Sequence, residues 1–318
     1  MHNGTIVSLA IVVAVALPFG WACSASKSAS LLGIRADAAS LEQSSLEYAL
    51  RGDLPRALAL EEQALLAYRS VDDTAAVTGA LNRAGNLRQR TGDPDGARSA
   101  YLEAQRLASI TGDRAEEAAA RSNLGTLFEE SGNLAAADAE YQAARTLAEA
   151  AGADATLATI LNNQALLARK QGDPQRAIEL LKAALEIDRD RSNDGGAANR
   201  LRNLGAVYAK VGRQAEASTA LGEALEIDRR RENIPEIALD LVTLSEINAR
   251  DPATLPLAIN QRRRAAEIHR LLGRDTALAR DDAAIAGWCE GLRSSGTASA
   301  PSIDCSPSEQ GRDSRPAP

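Results

Sequence analysis

Asn203-Leu204-Gly205-Ala206-Val207-Tyr208-Ala209-Lys210-Val211-Gly212-Arg213, followed by Ala217 and Ala224-Leu225-Glu226-Ile227-Asp228, decides the fold of this chain. Gly212 is the last of five glycines, after Gly52, Gly92, Gly132 and Gly172, that stand 40 residues apart. A fixed interval of that length signals a repeat array. The next residue is Asp53, Asp93, Asn133 or Asp173, with Arg213 as the exception. Glycine takes the left-handed conformation that ends one helix. Aspartate or asparagine then caps the next through its side-chain oxygen. Pro94 and Pro174 fall at the first helical position, where a missing N–H costs nothing. Each glycine therefore predicts a tight turn between helix A and helix B of one repeat.

Other columns keep the same period. Seven residues before the glycines stand Ser45, Gly85, Gly125, Ala165 and Gly205, with Ser245 by extrapolation. Alanine recurs five residues after them (Ala57 to Ala217) and twelve after them (Ala64 to Ala224). Small side chains there let two helices approach closely. Leu41, Leu81, Leu161, Leu201 and Leu241 fill helix A, and Tyr101, Tyr141, Leu181 and Leu221 fill helix B. The sixth unit replaces its glycine with the Asp251-Pro252 region and gains one residue at Leu255-Pro256, which predicts a wider turn. Its register recovers at Ala258, Ala265 and Ile268. The first unit is atypical in its Ser44 and Glu61, as expected of an end repeat that meets water.

The opening stretch, together with Gln171-Gly172-Asp173, Ala177 and Ala184-Leu185-Glu186-Ile187-Asp188, resembles the tetratricopeptide repeat. The period of 40 rather than the usual 34 is similar to the subgroup with longer helices. The resemblance implies an all-α fold: a right-handed α-solenoid of six helix–turn–helix repeats over residues 38–275. A capping helix is expected at 276–293 and a disordered tail at 294–318, rich in Ser, Pro, Gly and Asp. It also implies a non-catalytic protein that holds protein or peptide partners in a concave groove lined by helix A. Carrying the groove positions over gives Asn82, Asn86, Arg90, Ser122, Thr126, Glu130, Asn162, Leu166, Lys170, Arg202, Ala206 and Lys210. Asparagine can donate and accept toward an extended backbone. Arg90, Lys170, Arg202 and Lys210 suit acidic side chains or a terminal carboxylate. Asn123, Asn163 and Asn203 are read as structural, as in the family consensus.

Composition agrees with a stack of thin helical interfaces. The chain has 318 residues, is rich in alanine, leucine, arginine and glutamate, and is 3% aromatic. Its net charge of −7 disfavours nucleic acid, whose binders carry a basic excess. Lysine occurs only at positions 27, 170, 182 and 210, which with the alanine excess reads as the coding bias of a GC-rich bacterium.

The first 26 residues hold no charged side chain, and Ile6 to Phe19 is an apolar run of signal-peptide length. Ala22-Cys23 resembles a bacterial lipoprotein signal, which implies cleavage after residue 22, lipidation of Cys23 and a linker at 23–37. The n-region lacks lysine and arginine, and Gly20 and Trp21 depart from the usual lipobox. Plain secretion and an uncleaved anchor are the alternatives. Acyl chains on Cys23 would anchor the protein to a membrane. Ser24 in place of aspartate points to the outer membrane, facing the periplasm.

No chemistry-bearing constellation stands out. Histidine occurs only at His2 and His269, and no spaced ligand set suggests a metal, a cofactor or a small-molecule substrate. Glu61-Glu62, Glu116-Glu117, Glu129-Glu130 and Asp281-Asp282 read as solvated faces, since adjacent helical residues do not face each other. His269 reads as an ordinary surface or groove residue, and Arg229 to Arg231 and Arg262 to Arg264 as cations near helix ends. Cys289 and Cys305 either pair in an oxidising compartment or leave Cys289 as a buried thiol beside Trp288. The expected function is a bacterial cell-envelope scaffold. The alternatives are a cytoplasmic or membrane-tethered regulatory scaffold and a carbohydrate-binding or enzymatic cell-wall accessory.

Overall fold

The computed structural model describes residues 19–294, with side chains from Ser30 to Arg293. Residues 1–18 and 295–318, including the expected signal run and Cys305, lie outside the described residues, as does the side chain of Cys23. Among the described residues there are thirteen α-helices and no strand. None is long and apolar enough to cross a membrane. The chain divides into two compact units at residues 111 and 112.

The first unit holds α1 (Phe19–Leu50), α2 (Leu54–Ser70), α3 (Thr74–Arg90) and α4 (Pro94–Thr111). They pack as the pairs α1·α2 and α3·α4, with α3 against α2. The stretch expected as a linker, 23–37, is part of α1. It is rich in alanine, serine and leucine and lacks proline, so nothing local breaks the helix.

The second unit holds α5 (Arg114–Glu130), α6 (Leu134–Ala151), α7 (Asp154–Gln171), α8 (Pro174–Asp190), α9 (Asp194–Lys210), α10 (Gln214–Arg230), α11 (Ile234–Asn248), α12 (Leu255–Leu271) and α13 (Asp275–Ser294). The pairs are α5·α6, α7·α8, α9·α10 and α11·α12, each joined to the next, and α13 covers α12. Odd-numbered helices are the A helices and even-numbered helices the B helices.

The turn chemistry is as the period predicts. Gly52, Gly92, Gly132, Gly172 and Gly212 all have positive φ, between 82° and 85°. Asp53, Asp93, Asn133 and Asp173 accept the expected capping bonds from the backbone N–H three residues on. Arg213 makes no side-chain cap. Between repeats the left-handed residue is Gly112, Gly152 or Gly273, but at three joints it is Asp72, Ser192 or Glu232, each at φ 53°. The α8–α9 joint therefore turns at Ser192-Asn193, and Asp194-Gly195-Gly196 opens α9 rather than forming the turn.

The small-residue column works by close approach. A Cβ on Gly125 would stand 2.7 Å from the Tyr141 ring, and one on Gly205 would stand 2.6 Å from Leu221 Cγ. Ala137, Ala144, Ala177, Ala184, Ala217 and Ala224 are fully buried. The sixth repeat has the wider turn expected, residues 249–254, where Thr254 Oγ1 donates to the Asn248 carbonyl at 2.6 Å. Ile259, Ile285 and Cys289 form a terminal core with Trp288 and Leu292 against it.

Candidate functional site

The A-helix face is organised by its columns. In the second unit, Asn163 Nδ2 donates to Ser122 Oγ at 3.3 Å, and Asn203 Nδ2 donates to Asn162 Oδ1 at 2.7 Å. Each bond spans 41 residues, so the second is the first carried one repeat on. This amide ladder ties α5, α7 and α9 together. Asn163 and Asn203 thus have the structural role expected. Ser122 and Asn162, expected to face a partner, are buried within the same ladder.

Thr126 and Glu130 lie further along α5. Thr126 Oγ1 sits 3.1 Å from the Tyr141 hydroxyl, which donates to Glu129 Oε2 at 3.0 Å. Burial raises the Tyr141 pKa above its ordinary value, so this hydroxyl is a fixed donor. Lys170 Nζ stands 2.6 Å from Glu129 Oε1. Glu130, Lys170 and Lys210 are exposed, and Lys210 has no ion-pair partner among the described residues. Arg250, one repeat beyond Lys210, donates to the Ala209 carbonyl at 3.1 Å. Lys170, Lys210 and Arg250 therefore form a cationic row along the C-terminal ends of α7, α9 and α11. Proximity to those helix ends is itself favourable for a cation.

The first unit carries the remaining expected groove residues on α3. Asn82 is buried, whereas Asn86 and Arg90 are exposed. Asn86 Oδ1 accepts from the Tyr101 hydroxyl at 2.7 Å. Glu61 of the same unit is almost fully buried, 2.9 Å from Arg83 Nε. Burial raises its carboxyl to about 7, with a hydrogen bond from Ser45 acting the other way.

Arg202 is engaged internally. Its Nη1 lies 2.6 Å from Asp228 Oδ2 and 3.4 Å from Asp240 Oδ1, and its Nη2 lies 3.1 Å from Glu236 Oε2. Three carboxylates already hold the donors that the groove reading assigned to a ligand. Burial alone would lower the guanidinium pKa, but Asp240, Asp228 and Glu236 keep it above its ordinary value. Asp240 is fully buried, and desolvation raises its carboxyl to about 7 despite Arg202, with Asp228 adding to the rise.

This cluster belongs to a pattern that the sequence reading missed. The last turn of successive B helices carries Tyr68, Ala108, Ala148, Asp188, Asp228 and His269, all buried. The following A helices carry Ala80, Ala120, Ile160, Arg200, Asp240 and Asp281, also buried. Both columns turn from apolar to charged at the same junction. Arg200 Nε stands 3.2 Å from Asp188 Oδ2 as an ion contact rather than an aligned hydrogen bond. Burial lowers the Arg200 pKa, and Asp188 partly restores it. His269 Nδ1 is 2.7 Å from Asp281 Oδ2, and Arg262 Nε is 2.8 Å from Asp281 Oδ1. His269, Arg262 and Asp281 are thus interior groups, contrary to the surface roles read from local sequence. A helix-face argument within one element does not see the neighbouring helix that covers it.

Cys289 is buried and disulfide-bonded, while Cys305 lies outside the described residues. Among the described residues no group of three or more His, Cys, Asp or Glu is placed to hold a metal ion.

Residues 74–150 and 156–230 match the tetratricopeptide repeat family. These two stretches therefore carry tetratricopeptide repeats, which in general mediate protein–protein interaction and are typically not enzymes. Comparison with curated proteins gives no significant match. Among solved structures, BtubC (BKLC) from P. vanneervenii is similar at 22% identity and TM-score 0.56, over 76% of this chain and 92% of that one. The Rap protein complexed with Competence and Sporulation Factor is similar at 13% identity and TM-score 0.59, over 80% and 75%. A chain of the APC/C hetero-tetramer Cut9-Hcn1 is similar at 19% identity and TM-score 0.56, over 79% and 46%. At these identities the likeness is one of fold.

Proposed function

We propose that this protein is a non-catalytic scaffold of a bacterial cell envelope, anchored through lipidated Cys23, that docks partner segments on the A-helix face of its repeats. The observation that carries the docking reading is the exposed row Lys170, Lys210 and Arg250, set one repeat apart beside the Asn163–Asn203 ladder. A periodic row of cations next to amide groups suits an extended segment bearing acidic side chains. The disulfide at Cys289 supports an oxidising compartment, and the Ala22-Cys23 junction supports lipid anchoring at the outer membrane.

Capture from solubilised envelopes tests the docking face. Wild type is compared with a Lys170→Glu, Lys210→Glu, Arg250→Glu variant and with an Arg90→Glu variant. The triple variant is expected to lose at least one wild-type partner, and an unchanged set of partners removes this face as the docking surface. Metabolic labelling with palmitate tests the anchor. Label that persists in Cys23→Ala, or is absent from wild type, rules out lipidation at Cys23.

A further inference from the structure

We propose that the recess between the B helices α8 and α10 receives an arginine side chain, flanked by apolar residues, from a partner protein. The site lies apart from the A-helix face and stands independently of the docking row. The recess has a volume of about 610 Å³, within the range of ligand pockets. Leu185 of α8 and Ala220 of α10 form its walls, and Leu201, Leu204 and Tyr208 of α9 form its floor. Lys210 projects from the other side of α9, since two residues along a helix are about 200° apart. The opening follows from one change in a column. Leu180, one period before Ala220, packs against Ala158, Leu161 and Ala184 and fills the corresponding place between α6 and α8. The shorter Ala220 leaves the recess.

The chain itself shows what fits. In the first unit, three periods earlier, Arg69 of α2 bridges to Glu103 of α4 at 2.7 Å, as Arg189 of α8 bridges to Glu223 of α10. There Arg88, in the column of Tyr208, reaches Glu62 of α2 at 2.8 Å and donates to the Gly96 carbonyl of α4 at 3.4 Å. That groove holds a guanidinium supplied from within. In the second unit the column gives Tyr208, which is 7% exposed and brings no charge. Its hydroxyl has no hydrogen-bond partner among the described residues, whereas those of Tyr101 and Tyr141 are held by Asn86 and Glu129. The rim completes the match. Arg189 is taken by Glu223, and Glu216 by Arg213, whose guanidinium lies 4.6 Å from the Tyr208 ring centroid. Lys182 stands where Glu62 stands in the first unit, and carboxylates follow one and two turns along α8 at Glu186 and Asp190. Both are exposed, and neither has an ion-pair partner among the described residues. Two free carboxylates against one lysine leave the rim negative. A guanidinium pairs with carboxylates through its fork of N–H donors. Its aliphatic stem covers the apolar floor. An anionic ligand would meet the excess charge, and a purely apolar one would leave it unmatched.

Calorimetric titration of the full chain with acetyl-Ala-Leu-Arg-Leu-Ala-amide tests the proposal, with citrulline in place of arginine as the neutral isostere. The arginine peptide is expected to bind at least tenfold more tightly than the citrulline peptide. Glu186→Lys with Asp190→Lys is expected to abolish that preference at unchanged circular dichroism. Ala220→Leu, which fills the recess as Leu180 fills its own place, is expected to abolish binding of both peptides. Glu130→Lys, on the A-helix face, is expected to change neither result. Equal binding of the two peptides, or binding of neither, overturns the proposal. So does a preference that survives the Glu186 and Asp190 variant, or arginine-peptide binding that survives Ala220→Leu. A preference lost in Glu130→Lys puts the arginine on the A-helix face and overturns it as well.

Discussion

The α6–α7 junction and the α10–α11 junction have the same backbone plan and opposite interiors. At the first, Ala144, Ala148 and Ile160 form a buried cluster with Leu147, Ala153 and Leu157 packed against it. At the second, the positions of Ala148 and Ile160 are taken by Asp228 and Asp240, held by Arg202. The helix-pair scaffold tolerates either, because the small-residue column fixes the helix separation elsewhere. The difference is one of failure mode. An apolar junction weakens by the area it loses. A buried charged junction depends on every partner being present, since an unmatched carboxylate has no water to replace its cation.

The largest test of that contrast is Arg202→Leu. It leaves Asp240 buried without its cation beside Asp228, which keeps only Arg231 at 2.9 Å, and a loss of about 3–5 kcal/mol is expected in urea denaturation. The next is pH. Asp240 has a folded pKa raised to about 7 from 3.8, so the stability it contributes is complete below its unfolded value and is lost as pH rises through about 7. Moving from pH 8 to pH 6 should add about 1.4 kcal/mol through this one group, and Asp240→Asn should remove that slope. Glu61 titrates in the same sense in the first unit, and its contribution is left in place in the variant. Hydrogen exchange should show the slope in α9–α11 and not in α5–α7.

On the apolar side, Ile160→Val should cost about 1 kcal/mol with no pH dependence, and a pH-dependent loss would break the comparison. The smallest expected effect lies in the turns. The α6–α7 joint uses Gly152, whereas the α10–α11 joint puts Glu232 in the left-handed region. Glu232→Gly should raise stability by about 0.5 kcal/mol, the relief of backbone strain less the added freedom of the unfolded chain. An unchanged or lowered melting temperature would show that this strain is absorbed locally.

The architecture was legible because turns and small residues are local and periodic. Gly132-Asn133 announces a turn whatever surrounds it, and Gly125 opposite Tyr141 follows from one column. Arg213 makes no cap because its side chain carries no oxygen acceptor, and the sequence already marks it as the exception. The docking face was only half legible. Its phase on helix A came from the period, but whether a polar group there meets solvent or a neighbour depends on residues a full repeat away. Ser122 is taken by Asn163, Asn162 by Asn203, and Arg202 by Asp228 and Asp240. The charged junctions were readable in principle. Placing Asp188, Asp228 and His269 in one column and Arg200, Asp240 and Asp281 in another shows both changing character together. Local pattern reads Asp281 as a solvated face and His269 as a surface or groove residue, because a run such as Arg262 to Arg264 looks alike inside or outside.

The amide ladder also governs how the chain tolerates changes of length. Excising residues 153–192, one full period, would set Asn203 opposite Ser122, a partner as competent as the Asn162 it left. The same cut would set Arg200 opposite Ala148 instead of Asp188, stranding a guanidinium in an alanine-lined seam. One face of the array is therefore indifferent to which neighbour it receives, while the opposite seam remembers, and a lineage could shorten this chain only at joints where that memory is blank.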